Sequence, residues 1–399
     1  MLKYTLNMKI INHLAHHYAA DVNMQGFSSL SPAVYRASTI TFDSLDEFVA
    51  RKKRTPDGYT YGITGTPTHR QLQARIAQLD GASHCMLVPS GQAAISVTML
   101  AFLKAGDHLL ITDSAYGPAH DFSTHLAGLG VDVERYDPCI GAGIAQLIRP
   151  ATRMIWMESP GSITMDIQDV AAITAVAKSK GILTAIDNTW ATPLYFSPLA
   201  LGVDLCIHAC SKAMGGHADL LVGSVSTNDR DLYVQLRALQ SSAGLSVSAD
   251  DCFLVQRGLD TMPLRVEKQA ETALLIARQL QQHPMVEQVL HPALEDFPTH
   301  SLWKSQFSGS GSLFSVVLRS AELDAYRHMF KAFQQFLIGA SYGSPQSLAA
   351  FYPAELQAAR SFPSISAPVI RLAIGLEDSR ILLDDLDQAL ACFERIATR

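Results

Sequence analysis

A chain of 399 residues with 48% hydrophobic and 17% charged residues can bury a sizeable core, which excludes a disordered protein. Its 31 basic and 37 acidic residues give a net charge of −6 with no long run of like charges, so neither nucleic acid nor an anionic membrane is offered an electrostatic footprint. The charged fraction lies below the ~25% of an average soluble domain, and part of the surface is expected to be covered by another subunit.

The N-terminal sequence lacks an apolar core followed by a small-residue cleavage site, so no signal peptide is expected and the protein reads as cytoplasmic. His13, His16 and His17 share a short segment, but no carboxylate or cysteine completes a metal-binding set there. Residues 1–63 have little periodicity and read as an extended arm that contacts a neighbouring subunit. A helix is expected in HRQLQARIAQLDG, with Leu72, Ile76 and Leu79 at helical spacing and Gly81 ending it. Ser90 caps a second, buried helix running to Lys104. Strands follow at HLLIT, VDVERY, MIWME, LTAID, LCIHAC and LLVGSVST, with the helix DIQDVAAITAVAKSKG between the third and fourth. The uncharged stretch 188–203 contains Pro193 and Pro198, which deny a bilayer-spanning helix its internal hydrogen bonds.

Alternating strands and helices of this length predict an α/β fold built on a mostly parallel, doubly wound sheet. Beyond Arg257 a long helix through Leu264, Leu274, Ala277 and Leu280 is expected. Strands at VEQVLHP, SLFSVVL and VIRLAIG and a closing helix from Ile381 to Ile396 complete a smaller α+β domain. The expected division is residues 1–63, 64–258 and 259–399. Six scattered cysteines show no zinc spacing and read as reduced, mostly buried thiols, with Cys206 and Cys210 in the core. A nucleophile elbow, a metalloprotease helix motif and a phosphate loop are all absent; Gly309 and Gly311 precede a strand, which fails the dinucleotide fingerprint.

What remains is a constellation at the carboxyl ends of strands, where open α/β sheets bind ligands. Asp187 ends LTAID, and Lys212 follows LCIHACS. A lysine partly withdrawn from water favours the neutral amine that forms a Schiff base. A carboxylate from an adjacent strand can keep a pyridinium nitrogen protonated. The Ser90–Gly91–Gln92 turn opens a helix whose free N–H groups suit a phosphate, and Tyr116 is placed to lie over a flat ring. Together these describe a pyridoxal phosphate site in the larger domain.

The segments YGITGTPTH, VPSGQAAI, DSAYGPAHDF, ESPGSITM, IDNTWATPL, DLCIHACSKAMGGHADLLVG and VIRLAIGLED, in this order, resemble the cystathionine β-lyase branch of the Cys/Met metabolism pyridoxal phosphate enzymes. The resemblance runs from about Ala33 to the last helix. It implies an aminotransferase class I-like fold (fold type I) and β-elimination of cystathionine to homocysteine, pyruvate and ammonia in methionine biosynthesis. Lys212 would carry the cofactor and move protons, and Asp187 would pair with the pyridine nitrogen. Tyr116 would stack on the ring near the leaving group. Gly91, Gln92 and Ser211 would hold the phosphate, joined by Tyr61 from the neighbouring subunit of a homotetramer made of two catalytic dimers. Arg371 would grip the substrate carboxylate, with Ser341 and Tyr342 beside it.

Three departures stand out. After Tyr61 the family usually supplies an arginine for the partner's phosphate, whereas Gly62, Ile63 and Thr64 stand here, so that either cofactor binding is weaker or His69 or Arg70 substitutes. Gln346 replaces an acid, and Ala213 and Ala218 replace an aromatic and a small polar residue. Ala340 stands where γ-acting relatives generally carry Glu, which favours β chemistry; the alternatives are a γ-lyase such as cystathionine γ-lyase or methionine γ-lyase, an O-acylhomoserine sulfhydrylase, a different C–S lyase, or a weakly catalytic cofactor-binding paralogue, which the missing arginine would suit.

Overall fold

The computed structural model describes residues 29–398; His13, His16, His17 and the first part of the expected arm lie outside the described residues. From residue 29 the chain runs without regular structure to a short helix, Leu45–Ala50, and a 3-10 turn, Arg51–Arg54. Leu30, Leu45 and Val49 are exposed on this stretch.

The main sheet has seven strands: β1 (His84–Val88), β2 (His108–Thr112), β3 (Asp132–Tyr136), β4 (Thr152–Glu158), β5 (Leu183–Asp187), β6 (Leu205–Ala209) and β7 (Gly223–Thr227). Their order is β1-β7-β6-β5-β4-β2-β3. From β3 to β6 every pairing is parallel, and β7 lies antiparallel between β6 and β1. The expected parallel sheet is therefore present with one reversed strand in it. Strands β2 and β5 coincide with the segments read from sequence. β1 was not among the sequence-predicted strands, nor were the helices Gly117–Gly128 and Arg230–Ser242 among the predicted helices.

The helices form because their ends are closed by side chains. Ser90 accepts a hydrogen bond from Ala93 N at the start of Gly91–Phe102, and Asp169 caps Val170–Lys180, which ends on Gly181 in the left-handed region. Gly91–Phe102, Gly117–Gly128 and Arg230–Ser242 cover one sheet face through Leu109, Ile111, Trp156 and Ile207. On the other face, Leu110, Ile155 and Ile186 join a core shared with a second sheet.

That second sheet contains β8 (Val286–Leu290), β9 (Leu313–Leu318), β10 (Leu337–Ile338), β11 (Leu348–Tyr352) and β12 (Val369–Ala373), in the order β10-β11-β12-β9-β8. The helix Ala249–Leu280 runs continuously through the position, 258, at which the sequence reading divides the chain, and it carries Pro263 in its interior. Its face bearing Val255, Leu259 and Met262 packs on Leu72 and Ile76 of the helix Pro67–Asp80. Cys206 is fully buried, as expected, beside the buried pair His208 and Asp80, whose Nε2 and Oδ1 lie 2.8 Å apart. Among the described residues, no helix is long and apolar enough to cross a membrane.

Candidate active site

The parallel arrangement brings residues distant in sequence to one edge. Ser90 follows β1, Tyr116 follows β2, Glu158 ends β4, Asp187 ends β5 and Lys212 follows β6. Glu158 and Asp187 are paired in register on adjacent strands, so their carboxylates stand side by side.

Lys212 lies in a tight turn closed by Gly215 N to Cys210 O (2.8 Å) and Gly216 N to Lys212 O (2.8 Å). Its Nζ donates to Ser341 Oγ at 2.6 Å and lies 5.4 Å from the centre of the Tyr342 ring. Burial, with the Arg371 guanidinium adding to it, holds the amine below its ordinary pKa, and Asp187 opposes the effect. The result is the bias toward a neutral, nucleophilic amine expected from the sequence. Burial pushes the Asp187 pKa upward, while Thr189 pulls it back by donating its N–H (2.9 Å) and hydroxyl to Oδ1. Oδ2 is left without a hydrogen bond among the described residues.

Glu158, which sequence reasoning did not single out, holds the loop after β2 by accepting from Tyr116 N at 2.7 Å. Burial and the neighbouring Asp187 raise its pKa well above the usual carboxylate range. Tyr116 itself is 40% exposed, at the start of the helix Gly117–Gly128.

Arg371, on β12, is 5% exposed and makes no ion pair among the described residues; Nη1 reaches Ser162 O at 3.3 Å. Its charge nevertheless acts on Lys212, Glu158, Tyr116 and Tyr342. A buried guanidinium with no acid is poised for an anion brought from outside.

The helix Gly91–Phe102 is pressed against the sheet where it begins. A Cβ on Gly91 would lie 2.5 Å from Ala209 Cβ, and one on Gly223 would lie 2.1 Å from Ser90 O. This approach leaves the N–H groups of Gly91 and Gln92 at a helix start without intrahelical acceptors. Gln92 donates to Pro118 O at 3.0 Å, while its buried Oε1 has no hydrogen-bond partner among the described residues. The two backbone N–H groups, which are donors, fit a phosphate next to Lys212. Ser211 is beside them, but its hydroxyl is engaged with Val222, accepting from N at 3.0 Å and donating to O at 3.2 Å.

Ser341 and Tyr342 are carried to Lys212 by a loop that only glycine permits. Gly343 has φ +82°, and an added Cβ would lie 2.6 Å from Ala213 N. The loop is fastened by Glu377, which accepts from Ser347 N (2.7 Å) and Oγ (2.8 Å). Replacing Gly343→Ala is expected to cost about 2 kcal/mol or more through strain and clash. This would be read as a lowered unfolding midpoint together with weaker cofactor retention.

Tyr61 is not brought into this cluster. It is half-exposed and lines a cleft with Arg36, Ile63 and Asp250. His69 and Arg70, the residues expected to replace the missing arginine, are both engaged by neighbouring groups of their own chain. His69 uses Nδ1 on Thr66 and Nε2 on the Val247 carbonyl (2.8 Å), and burial lowers its pKa. Arg70 is tied to Asp57 O (2.9 Å), Gln73 Oε1 (2.8 Å) and Thr64 O (2.6 Å). Within one chain both side chains serve the local fold.

Comparisons with known proteins supply the family. The family described as Cys/Met metabolism PLP-dependent enzyme matches residues 15–391. The cystathionine β-lyase of Bordetella avium is 40% identical over 377 residues, covering 93% of this chain and 92% of its own. The cystathionine β-lyase MetC of Escherichia coli is 39% identical over 374 residues, with 91% and 94% covered. Among solved structures, cystathionine gamma synthase from Xanthomonas oryzae pv. oryzae in complex with cystathionine superposes with a TM-score of 0.88 at 29% identity, covering 97% of this chain and 98% of that one. A lysine, a carboxylate and a helix N-terminus suited to pyridoxal phosphate thus coincide with these matches, and the chain belongs to the Cys/Met metabolism family of pyridoxal phosphate-dependent enzymes.

Proposed function

We propose that the protein cleaves L-cystathionine by β-elimination, giving homocysteine, pyruvate and ammonia. The observation that carries this reading is the buried, acid-free Arg371 acting on the depressed Lys212 amine. It marks the place of an amino-acid carboxylate beside a base. The names of the β-lyase relatives supply the thioether.

When bound, pyridoxal phosphate supplies a sink for the electron pair left at Cα. Lys212 Nζ would hold it covalently, Oδ2 of Asp187 would keep its ring nitrogen protonated, and the N–H groups of Gly91 and Gln92 would bind its phosphate, with Ser211 alongside. Arg371 grips the substrate carboxylate by its planar fork. Lys212, freed when the substrate's amino group takes its place on the cofactor, would then take the Cα proton as a neutral amine. As the Cβ–S bond breaks, the thiolate receives a proton from Lys212 or Tyr116, and the released unsaturated amine is hydrolysed to pyruvate and ammonia. Tyr342 and Ser341 keep the amine on the reacting side.

We place Tyr61 and the arm against a second copy of the chain in a homotetramer of two catalytic dimers. Support comes from Leu30, Leu45, Phe48, Val49 and Tyr61, which are large apolar or aromatic residues exposed in one chain. The division at residues 63 and 258 and a cytoplasmic location in methionine biosynthesis belong to the same reading.

Keto-acid analysis tests the reaction. Purified protein given L-cystathionine should release pyruvate, whereas 2-oxobutyrate would mean that a γ-acting enzyme is present.

A further inference from the structure

Lys212 follows β6 of the main sheet and Ser341 precedes β11 of the second; the two meet at 2.6 Å, and both of their loops are tied to one helix. Within Ala249–Leu280, Arg265 is 7% exposed and donates Nη1 to Ala213 O at 3.0 Å, immediately after Lys212. Its Nη2 donates to Gly258 O at 2.6 Å and its Nε to Thr261 Oγ1 at 3.1 Å. It makes no ion pair among the described residues, so the ordinary reason for burying an arginine is missing. Burial lowers its pKa to about 10.

The lysine turn is moulded to this guanidinium. Gly216 has φ +76°, and a Cβ there would lie 1.9 Å from Arg265 Nη1. On the helix side, a Cβ on Gly258 would lie 2.3 Å from the carbonyl oxygens of Met214 and Gly215. One turn further along, on the same helix face, the buried Gln269 donates Nε2 to Ser344 O at 2.7 Å. Arg265 therefore holds the lysine turn, and Gln269 holds the loop that presents Ser341.

We propose that Arg265 and Gln269 are paired positioning residues that set the Lys212–Ser341 contact and keep the lysine amine withdrawn from water. The inference rests on Lys212 being the cofactor-binding lysine. The other charged or titratable groups around that amine are Arg371 on β12, Asp187 on β5, and Tyr342. Substitutions at 265 and 269 leave all three in place.

The test uses apo-protein and pyridoxal phosphate, following the rate of cofactor capture by absorbance across pH in the parent, Gln269→Met and Arg265→Lys. Capture needs the neutral amine. If the clamp is released and Lys212 reaches water, its pKa rises, the midpoint of the capture profile moves up by about one pH unit, and capture at pH 7 falls about tenfold. Gln269→Met keeps volume and apolar packing, so its unfolding midpoint should stay near the parent's, and it carries the test alone if Arg265→Lys fails to fold. The shifts in the double variant should fall short of their sum, because both residues hold one contact. Unchanged profiles with capture within twofold of the parent in Gln269→Met would overturn the proposal. A Lys212→Ala control separates the two readings: capture persisting in it would overturn the lysine assignment instead.

Discussion

Lys212→Ala is expected to lower cystathionine turnover by about four orders of magnitude or more. The lysine serves both as the cofactor's covalent anchor and as the group that moves the Cα proton, and a positioned acid–base group alone contributes roughly 10²- to 10⁴-fold. Lys212→Arg separates the two ways in which a cation at this position can matter. Arginine keeps a charge near Ser341 and Asp187 but stays protonated and cannot act as nucleophile or base. If Lys212 works through its neutral amine, the arginine variant should be as inactive as the alanine variant. Pyruvate release measured against enzyme concentration checks this, and activity in Lys212→Arg within tenfold of the parent would contradict the role.

Arg371 should produce the second largest effect. Its guanidinium is buried on β12 without an acid, so a bound carboxylate gains charge-assisted hydrogen bonds that water does not contest. Removing one partner of such a pair costs about 2–5 kcal/mol, which corresponds to roughly 30-fold to several thousand-fold in kcat/KM. Arg371→Leu should sit at the upper end. Arg371→Lys should also lose much of the effect, because an ammonium cannot bind both carboxylate oxygens in the plane of a fork. The loss should fall mainly on KM, since the contact is made in the bound ground state as well as in the transition state. If Arg371 served only to pack Tyr352, 5.1 Å below its guanidinium, the unfolding midpoint would drop and KM would hold.

Local chemistry explains which parts of this site could be read from the sequence. Lys212, Asp187 and the Ser90–Gly91–Gln92 turn each sit at the end of an apolar strand or the start of a helix, and their roles follow from that position. β2 and β5 were found because their apolar runs are short and clearly bounded. β11, with the sequence LAAFY, contains two alanines that carry little strand signal, and it was missed. The helix Arg230–Ser242 did show Leu232, Leu236 and Leu239 at helical spacing and was readable. Glu158, Arg265, Gln269 and Gly343 belong to another class. Their importance comes from what they meet across the fold: a carboxylate on the next strand, a carbonyl in another turn, a backbone 130 residues away in sequence. No local pattern announces such meetings. The local partners of His69 and Arg70 were not legible for the same reason, because only the fold shows that they bond to Val247, Asp57 and Thr64.

The most direct measurement is chemical. Treating the holoenzyme with borohydride fixes the cofactor to whichever amine holds it, and peptide mapping by mass spectrometry then locates the added mass. The account predicts a single labelled lysine, Lys212, in the segment from Leu205 to Leu220. Label on any other lysine, or no label on a protein that still cleaves cystathionine, would contradict it.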